Sequence, residues 1–406
     1  MKKILFLIFL SILFSSCHLR NLTGNGEITD KKTFKAQRIN SSGYGPDEVV
    51  NAYLVKETEH LAIYVENKYS ISDYSLTRIW QDFENYYKDM INIYGEHTDM
   101  DGNSKIILVL MKLNQTTSSD VSTVLGYFRP SDLIYGKGNN GEILYMDINK
   151  CNLDPNKMVG TILHEFQHLI NFNLNKDNID VWLNEALSES ATILFNDNTT
   201  LDRMSEFNKL GGYYSFYTWN LPSDWNGGSL GDNTTQKSIS SSYPSSSMFM
   251  YWLYIKANKN KDIFKDLVRT KYLSSSARIY TIATKYGILS TSWEDLLLKW
   301  IIDVDQGVVK KDEQHRAFVN AYKHKVSVLY PSAVLVVAKN EVADLGISDY
   351  NIIGTKYKGY HFNVEKPKKN LYSSDLPESQ EENRVALVNK DTSLSEPPKG
   401  VKINIQ

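Results

Sequence analysis

The chain has 406 residues, 42% hydrophobic and 23% charged, the composition of an ordinary globular protein long enough for one large domain or two. Its formal net charge is −2 and it carries no basic block, so nothing in it points to nucleic acid or to an anionic membrane surface as a partner. With two cysteines it is not a disulfide-rich scaffold.

At the N-terminus, Lys2 and Lys3 precede an apolar run over residues 4–14 that ends in Ser15, Ser16 and Cys17. About eleven apolar residues are too few to span a bilayer, and the layout is that of a secretory signal. A cysteine directly after two small residues resembles a bacterial lipoprotein signal, in which Cys17 is lipidated and becomes the first residue of the mature protein. That places the protein in a bacterial cell envelope, periplasmic or surface-exposed, with the membrane as a partner through the lipid. Phe14 stands where the usual motif has leucine, which leaves simple secretion or a retained anchor as the alternative. With Cys17 acylated, Cys151 is the one free thiol and reads as a packing residue. Residues 18–48 are polar, with Gly, Asn, Ser and Lys, and read as a flexible tether between lipid and domain.

Residues 61–65 read as a short strand. Over 75–94, apolar residues at Leu76, Ile79, Trp80, Phe83, Tyr87, Met90, Ile91 and Tyr94 follow a 3.6-residue period ended by Gly95, which predicts an amphipathic helix. Asp99 and Asp101 open like a calcium loop, but the pattern is not completed, so the segment reads as a turn into a buried strand over 105–110. Residues 142–148 read as another strand.

From Met158 to Asn173 the pattern is helical, and it carries His164-Glu165-Phe166-Gln167-His168. Residues four apart on a helix share a face about 6 Å apart along the axis, so both imidazoles can reach one zinc ion. Glu165 lies about 100° round the helix, near a zinc-bound water without being a ligand, which suits a general base. By chance alone the motif occurs in about one unrelated chain of this length in a hundred. What strengthens it is a second helix to Phe195, in which Glu185 offers a third ligand. Two His and one Glu leave the open position that a catalytic zinc keeps. Glu189, one turn further on, can accept the remaining ring N–H of a ligating histidine. Asn171 and Leu174 stand where a third-histidine arrangement needs Gly and His, so glutamate is the expected ligand.

Residues 220–242 form a Ser/Gly/Asn-rich loop, followed by a helix over 245–257 and another, capped by Ser292, through Asp303. Beyond 310 short strand signals dominate, and from Lys366 the chain is charged and dotted with prolines. The expected division is signal 1–17, tether 18–48, catalytic domain 49–310, a small β-rich module 311–365 and a flexible tail 366–406.

The pair HEFQH and NEALSE resembles the gluzincin zinc peptidases. A wider set, ETEHLAIYVE (57–66), DMDGN (99–103), GYFRPSD (126–132) and NGEILYMD (140–147), resembles the hyicolysin-type neutral zinc metallopeptidases. The likeness runs over residues 50–305. It implies an α+β, thermolysin-like fold, an N-terminal sheet on a helical half with zinc between them. It further implies endopeptidase activity on protein or peptide substrates, with His164, His168 and Glu185 as ligands and Glu165 as base. The strand before the zinc helix is then the edge along which substrate pairs. An oxyanion needs a donor besides zinc. Among Tyr213, Tyr214, Tyr217 and Tyr243 the resemblance favours Tyr243, in SYPSSSMFMYWL (242–253), just before a helix. Two other readings stand beside this one: a non-catalytic surface lipoprotein that keeps the fold for adhesion or binding, and a zinc hydrolase of a non-protein substrate.

Overall fold

A computed structural model describes residues 30–40, 43–115, 124–176, 179–216, 239–271, 273–321, 326–329, 332–338, 357–362, 384–389 and 401–404. Cys17, Tyr217 and most of the loop over 220–242 lie outside the described residues.

Three unbroken apolar runs make the centre. Strands β3 (Leu61–Glu66), β4 (Ile106–Met111) and β6 (Ile143–Asp147) are buried along their whole length and pair in parallel. Alternation sends Leu61, Ile63, Ile106, Leu108 and Leu144 into a core shared with the helices. Ala62, Tyr64, Ile107, Val109 and Tyr145 point into a second core on the opposite face. Burial on both faces is why these strands show no polar alternation. Parallel neighbours need a crossover, and α1 (Asp73–Tyr94) supplies it between β3 and β4. The Ser72 side chain accepts from Ser75 N to start this helix, and Gly95, at φ 116°, ends it in a conformation few side-chain-bearing residues adopt.

The six-stranded sheet runs β1-β2-β3-β4-β6-β5, where β1 is Lys31–Asn40, β2 is Gly43–Glu57 and β5 is Gly126–Phe128. Two expectations fail here. Residues 31–48, read as part of a tether, are built into the sheet: β1 and β2 pair antiparallel from Lys31↔Tyr53 to Asn40↔Gly43. Their inward residues are few (Phe34, Ala36, Ile39, Val50, Ala52), and a bulge between Gln37 and Ile39 breaks the period-two signal. Second, β6 is not the edge. It lies between β4 and β5, and the antiparallel β5, three residues long, takes the edge position.

The sheet curls until its first strand meets its last. Tyr127 on β5 donates its hydroxyl to Gln37 O at 3.1 Å and accepts from Gln37 N at 2.8 Å. Arg129 Nη2 donates to Lys35 O at 2.9 Å, and Ile39 N donates to Leu113 O at 2.8 Å. The curl encloses the second core and carries the β1–β2 hairpin round to β5.

Below the sheet lie α2 (Ile148–Leu153), α3 (Pro155–Asn175), α4 (Val181–Phe195) and α5 (Asp197–Phe207), then α6 (Ile239–Lys256), α7 (Asp262–Arg269), α8 (Ser275–Lys285) and α9 (Trp293–Asp305). α3 is capped by Asp154, whose carboxylate accepts from Lys157 N, and starts on Pro155, whose fixed φ suits a first turn. Gly160 lets α5 approach α3 closely, since a Cβ there would collide with the Thr199 hydroxyl. Cys151 is fully buried in the main core, where burial and then the Asp147 charge push its thiol up, in keeping with packing.

The C-terminal region does not follow the expected boundaries. β7 (Tyr213–Tyr214) pairs with β9 (Val334–Ala338), and β11 (Arg384–Asn389) lies between β9 and β10 (Tyr357–Phe362). β8 (Val326–Leu329) pairs with β12 (Val401–Asn404). Val334, Val336, Ala386 and Val388 belong to the helix-lined core, so β9 and β11 complete it instead of forming a separate module. β11 and β12 also fall in the stretch read as a flexible tail: in β11 the consecutive Ala386, Leu387 and Val388 are buried, so both faces of the strand are covered there, despite the prolines around them. Sheet and helices together make a mixed α+β architecture. Among the described residues no helix is long and apolar enough to cross a membrane.

Candidate metal centre

α3 and α4 are locked face to face by polar pairs inside an otherwise apolar contact. Ser188 donates to Gln167 Oε1 at 2.6 Å and Asn171 to Asn184 Oδ1 at 2.5 Å across the two helices, and within α3 Asn175 steadies Asn171 by donating to its Oδ1 at 2.7 Å. Buried polar groups tolerate few alternative partners, so these pairs fix the register of the two helices. In that register Glu185 of α4 faces His164 and His168 of α3.

The three potential ligand atoms converge. His164 Nε2 lies 3.2 Å from His168 Nε2 and 3.3 Å from Glu185 Oε2, and His168 Nε2 lies 3.5 Å from the same oxygen. Ligands about 2.0–2.1 Å from a tetrahedral ion stand about 3.3–3.4 Å from one another. The triangle therefore has the edge lengths a zinc ion requires, with no rearrangement of side chains. The electrostatics agree: burial alone would lower the His164 pKa, but Glu185 and Glu189, helped by Glu165, hold it up at about 10. Burial likewise opposes the charge on Glu185, yet the two imidazoles keep its pKa far below the usual range. Three carboxylates around two imidazoles favour a cation at this point.

Glu189 has no exposed surface, and Oε1 lies 3.4 Å from His164 Nδ1. Behind it stands a residue with no sequence signal of its own, Arg203 of α5. Its Nε and Nη2 grip the Glu189 carboxylate at 2.9 and 3.0 Å, and its Nη1 reaches Glu206 at 2.9 Å. From sequence, Arg203 and Glu206 look like a solvated helix-surface pair. Replacing Arg203 with Met leaves Glu189 charged, buried and without its main counter-ion. We expect a loss of about 3–5 kcal/mol of stability, read as a lower urea midpoint at pH 7. An unchanged midpoint would show that Glu189 does not depend on this arginine.

The Glu165 carboxylate accepts from Phe128 N at 2.9 Å, so the edge strand β5 holds it beside the histidines. Tyr243 sits inside the first turns of α6, which begins at Ile239 and not at 245 as expected; the serine run and Pro244 hide that start. The Tyr243 ring is 6.2 Å from the His164 ring and lies under the Arg203 guanidinium at 4.9 Å. Burial, then Glu185 and Glu165, push its phenol well above its ordinary pKa, so it is a neutral donor near pH 7. Tyr213 and Tyr214 are core residues of β7. A second convergence of carboxylates, Asp99, Asp101 and Glu142, lies away from this centre. Asp99 accepts from Ser104 N, Asp101 from Asn103, and Glu142 from Met100 N, which is the bonding of a turn.

No protein-family model matches this chain. A stretch of 274 residues is 25% identical to the neutral metalloprotease ShpI of Staphylococcus hyicus, covering 63% of this chain. The chain resembles a neutral metalloprotease. The match spans 58% of that protein's length. The similarity is to an enzyme whose name requires a metal, and His164, His168 and Glu185 form a donor set suited to one.

Proposed function

We propose that this chain is a zinc-dependent endopeptidase of the gluzincin type, with a thermolysin-like arrangement of sheet, helices and metal. The observation that carries this reading is the triangle of His164, His168 and Glu185 atoms at 3.2–3.5 Å, with Glu165 held next to it. Bound there, zinc supplies Lewis acidity and a water acidic enough to ionise near pH 7. Glu165 takes the proton of the attacking water and delivers it to the leaving amine. Tyr243 donates a hydrogen bond to the oxygen that gains charge as the scissile carbonyl is attacked. Glu189, gripped by Arg203, holds His164 in the tautomer that presents Nε2 to the metal. Substrate lies extended along β5, whose outer backbone groups give affinity without side-chain selectivity.

Casein incubated with the purified chain tests this directly. Cleavage at internal bonds, abolished by a zinc chelator and restored by zinc, supports the endopeptidase. One tightly bound zinc per chain without cleavage of casein or of mixed peptides would favour the non-catalytic lipoprotein or a non-protein substrate.

The same reading includes attachment to the cell envelope through a lipid on Cys17. The Cys17→Ser protein is then expected in the soluble fraction after cell lysis, against membrane-bound wild type. Equal membrane retention of both would refute the lipid anchor.

A further inference from the structure

The curl of the sheet brings to the metal centre a residue from a segment whose sequence reads as a linker. Tyr44 is the second residue of β2, directly after Gly43, whose φ of 101° turns the chain at the end of β1. Its ring stands edge-on to Tyr127 with centroids 5.5 Å apart, and Tyr127 is the middle residue of edge strand β5. The next residue along β5, Phe128, is the one whose N–H holds Glu165. Tyr44 therefore overhangs the strand along which substrate is proposed to lie, one position from the general base. The hairpin is not free to swing: Tyr127 to Gln37 and Ile39 to Leu113 fasten β1 on the site side.

Tyr44 also has the surface properties of a contact residue. It is 56% exposed, whereas most large apolar side chains of this protein are buried. Desolvation, followed by the charges of Glu165 and Glu185, pushes its phenol up to about 12, so near pH 7 it carries its proton and can donate it. Among the described residues no hydrogen bond uses the Tyr44 hydroxyl, and a peptide carbonyl is the acceptor that an extended substrate brings. Tyr243 comes from the helical side and Tyr44 from the sheet side, and the charges of Glu165 and Glu185 act on both phenols.

We propose that Tyr44 is a substrate-positioning residue: its ring forms the sheet-side wall of the cleft and its hydroxyl donates to a backbone carbonyl of the peptide lying along β5. This rests on the endopeptidase reading and extends it to the N-terminal hairpin as part of the binding cleft. The role is distinct from that of a residue holding the fold, because an exposed ring contributes little to the core.

The test uses two probes on the zinc-loaded full chain: acetohydroxamate, which reaches only the metal, and an N-acyl-dipeptide hydroxamate, which also occupies the strand-side cleft. Tyr44→Ala is expected to weaken the dipeptide hydroxamate about tenfold or more, and Tyr44→Phe by a smaller factor, with acetohydroxamate unchanged in both. Unchanged dipeptide hydroxamate affinity in Tyr44→Ala, or equal weakening of both probes, would overturn the assignment. If wild type binds neither probe, the metallopeptidase reading itself fails and this inference falls with it.

Discussion

Glu165→Gln is expected to keep its zinc and to lose casein turnover by about a thousandfold or more. General acid–base assistance alone accounts for about 10²–10⁴ in rate, and this residue is proposed to serve both in taking the proton and in returning it. Glutamine keeps the size of the side chain but accepts no proton. Its single amide oxygen can still accept from Phe128 N, where Glu165 now does at 2.9 Å, so the fold and the edge strand stay in place. Zinc content by atomic absorption and initial rates on casein, taken from the same preparation, give the two numbers. Loss of zinc in proportion to the loss of rate would show that Glu165 acts as a ligand or a structural prop instead of as a base.

Glu185→Ala carries the opposite signature. Removing this carboxylate leaves only His164 and His168 of the three proposed ligands, and takes away the oxygen that lies 3.3 and 3.5 Å from their Nε2 atoms. Partners outside the first coordination shell are worth about 10–100-fold in metal affinity, so loss of a direct ligand is expected to exceed about a hundredfold. Zinc should leave the variant on dialysis against a chelator that wild type survives, and activity should go with it. The truncation also removes a half-buried carboxylate from beside the two imidazoles, so His164 loses one of the groups that hold its proton affinity high. Wild-type zinc retention in Glu185→Ala would mean that some other group closes the site.

The parts of this site that could be read from sequence are those fixed by helical spacing. His164 and His168 stand one turn apart, Glu185 and Glu189 one turn apart on the next helix, and both helices form where their apolar periodicity places them. Spacing within a helix is local and survives tertiary context. What could not be read depends on how distant segments meet. Arg203 and Glu206 carry the pattern of a surface pair, and only the packing of α5 behind α4 turns Arg203 into the counter-ion of Glu189. β5 has three residues, too few for any periodic signal, and it is the register Tyr127↔Tyr145 that makes it the edge in place of β6. Tyr44 lies in a polar, glycine-containing stretch whose strand character is masked by a bulge and by few inward residues. It reaches the site only because the sheet curls until the Tyr127 side chain bonds the Gln37 backbone. β9 and β10 lie where short β-like runs predict strands, but β11 and β12 lie in the stretch read as a tail, and the pairing of β9 with Tyr213–Tyr214 required the fold.

His164, His168 and Glu185 are proposed to hold one zinc ion. Crystals of the zinc-loaded protein, with diffraction recorded just above the zinc absorption edge, test it most directly. A single strong anomalous peak about 2.0–2.1 Å from both Nε2 atoms and the Glu185 carboxylate is the expected result. A peak at Asp99, Asp101 and Glu142 with none between the histidines, or no peak at stoichiometric zinc, would contradict it.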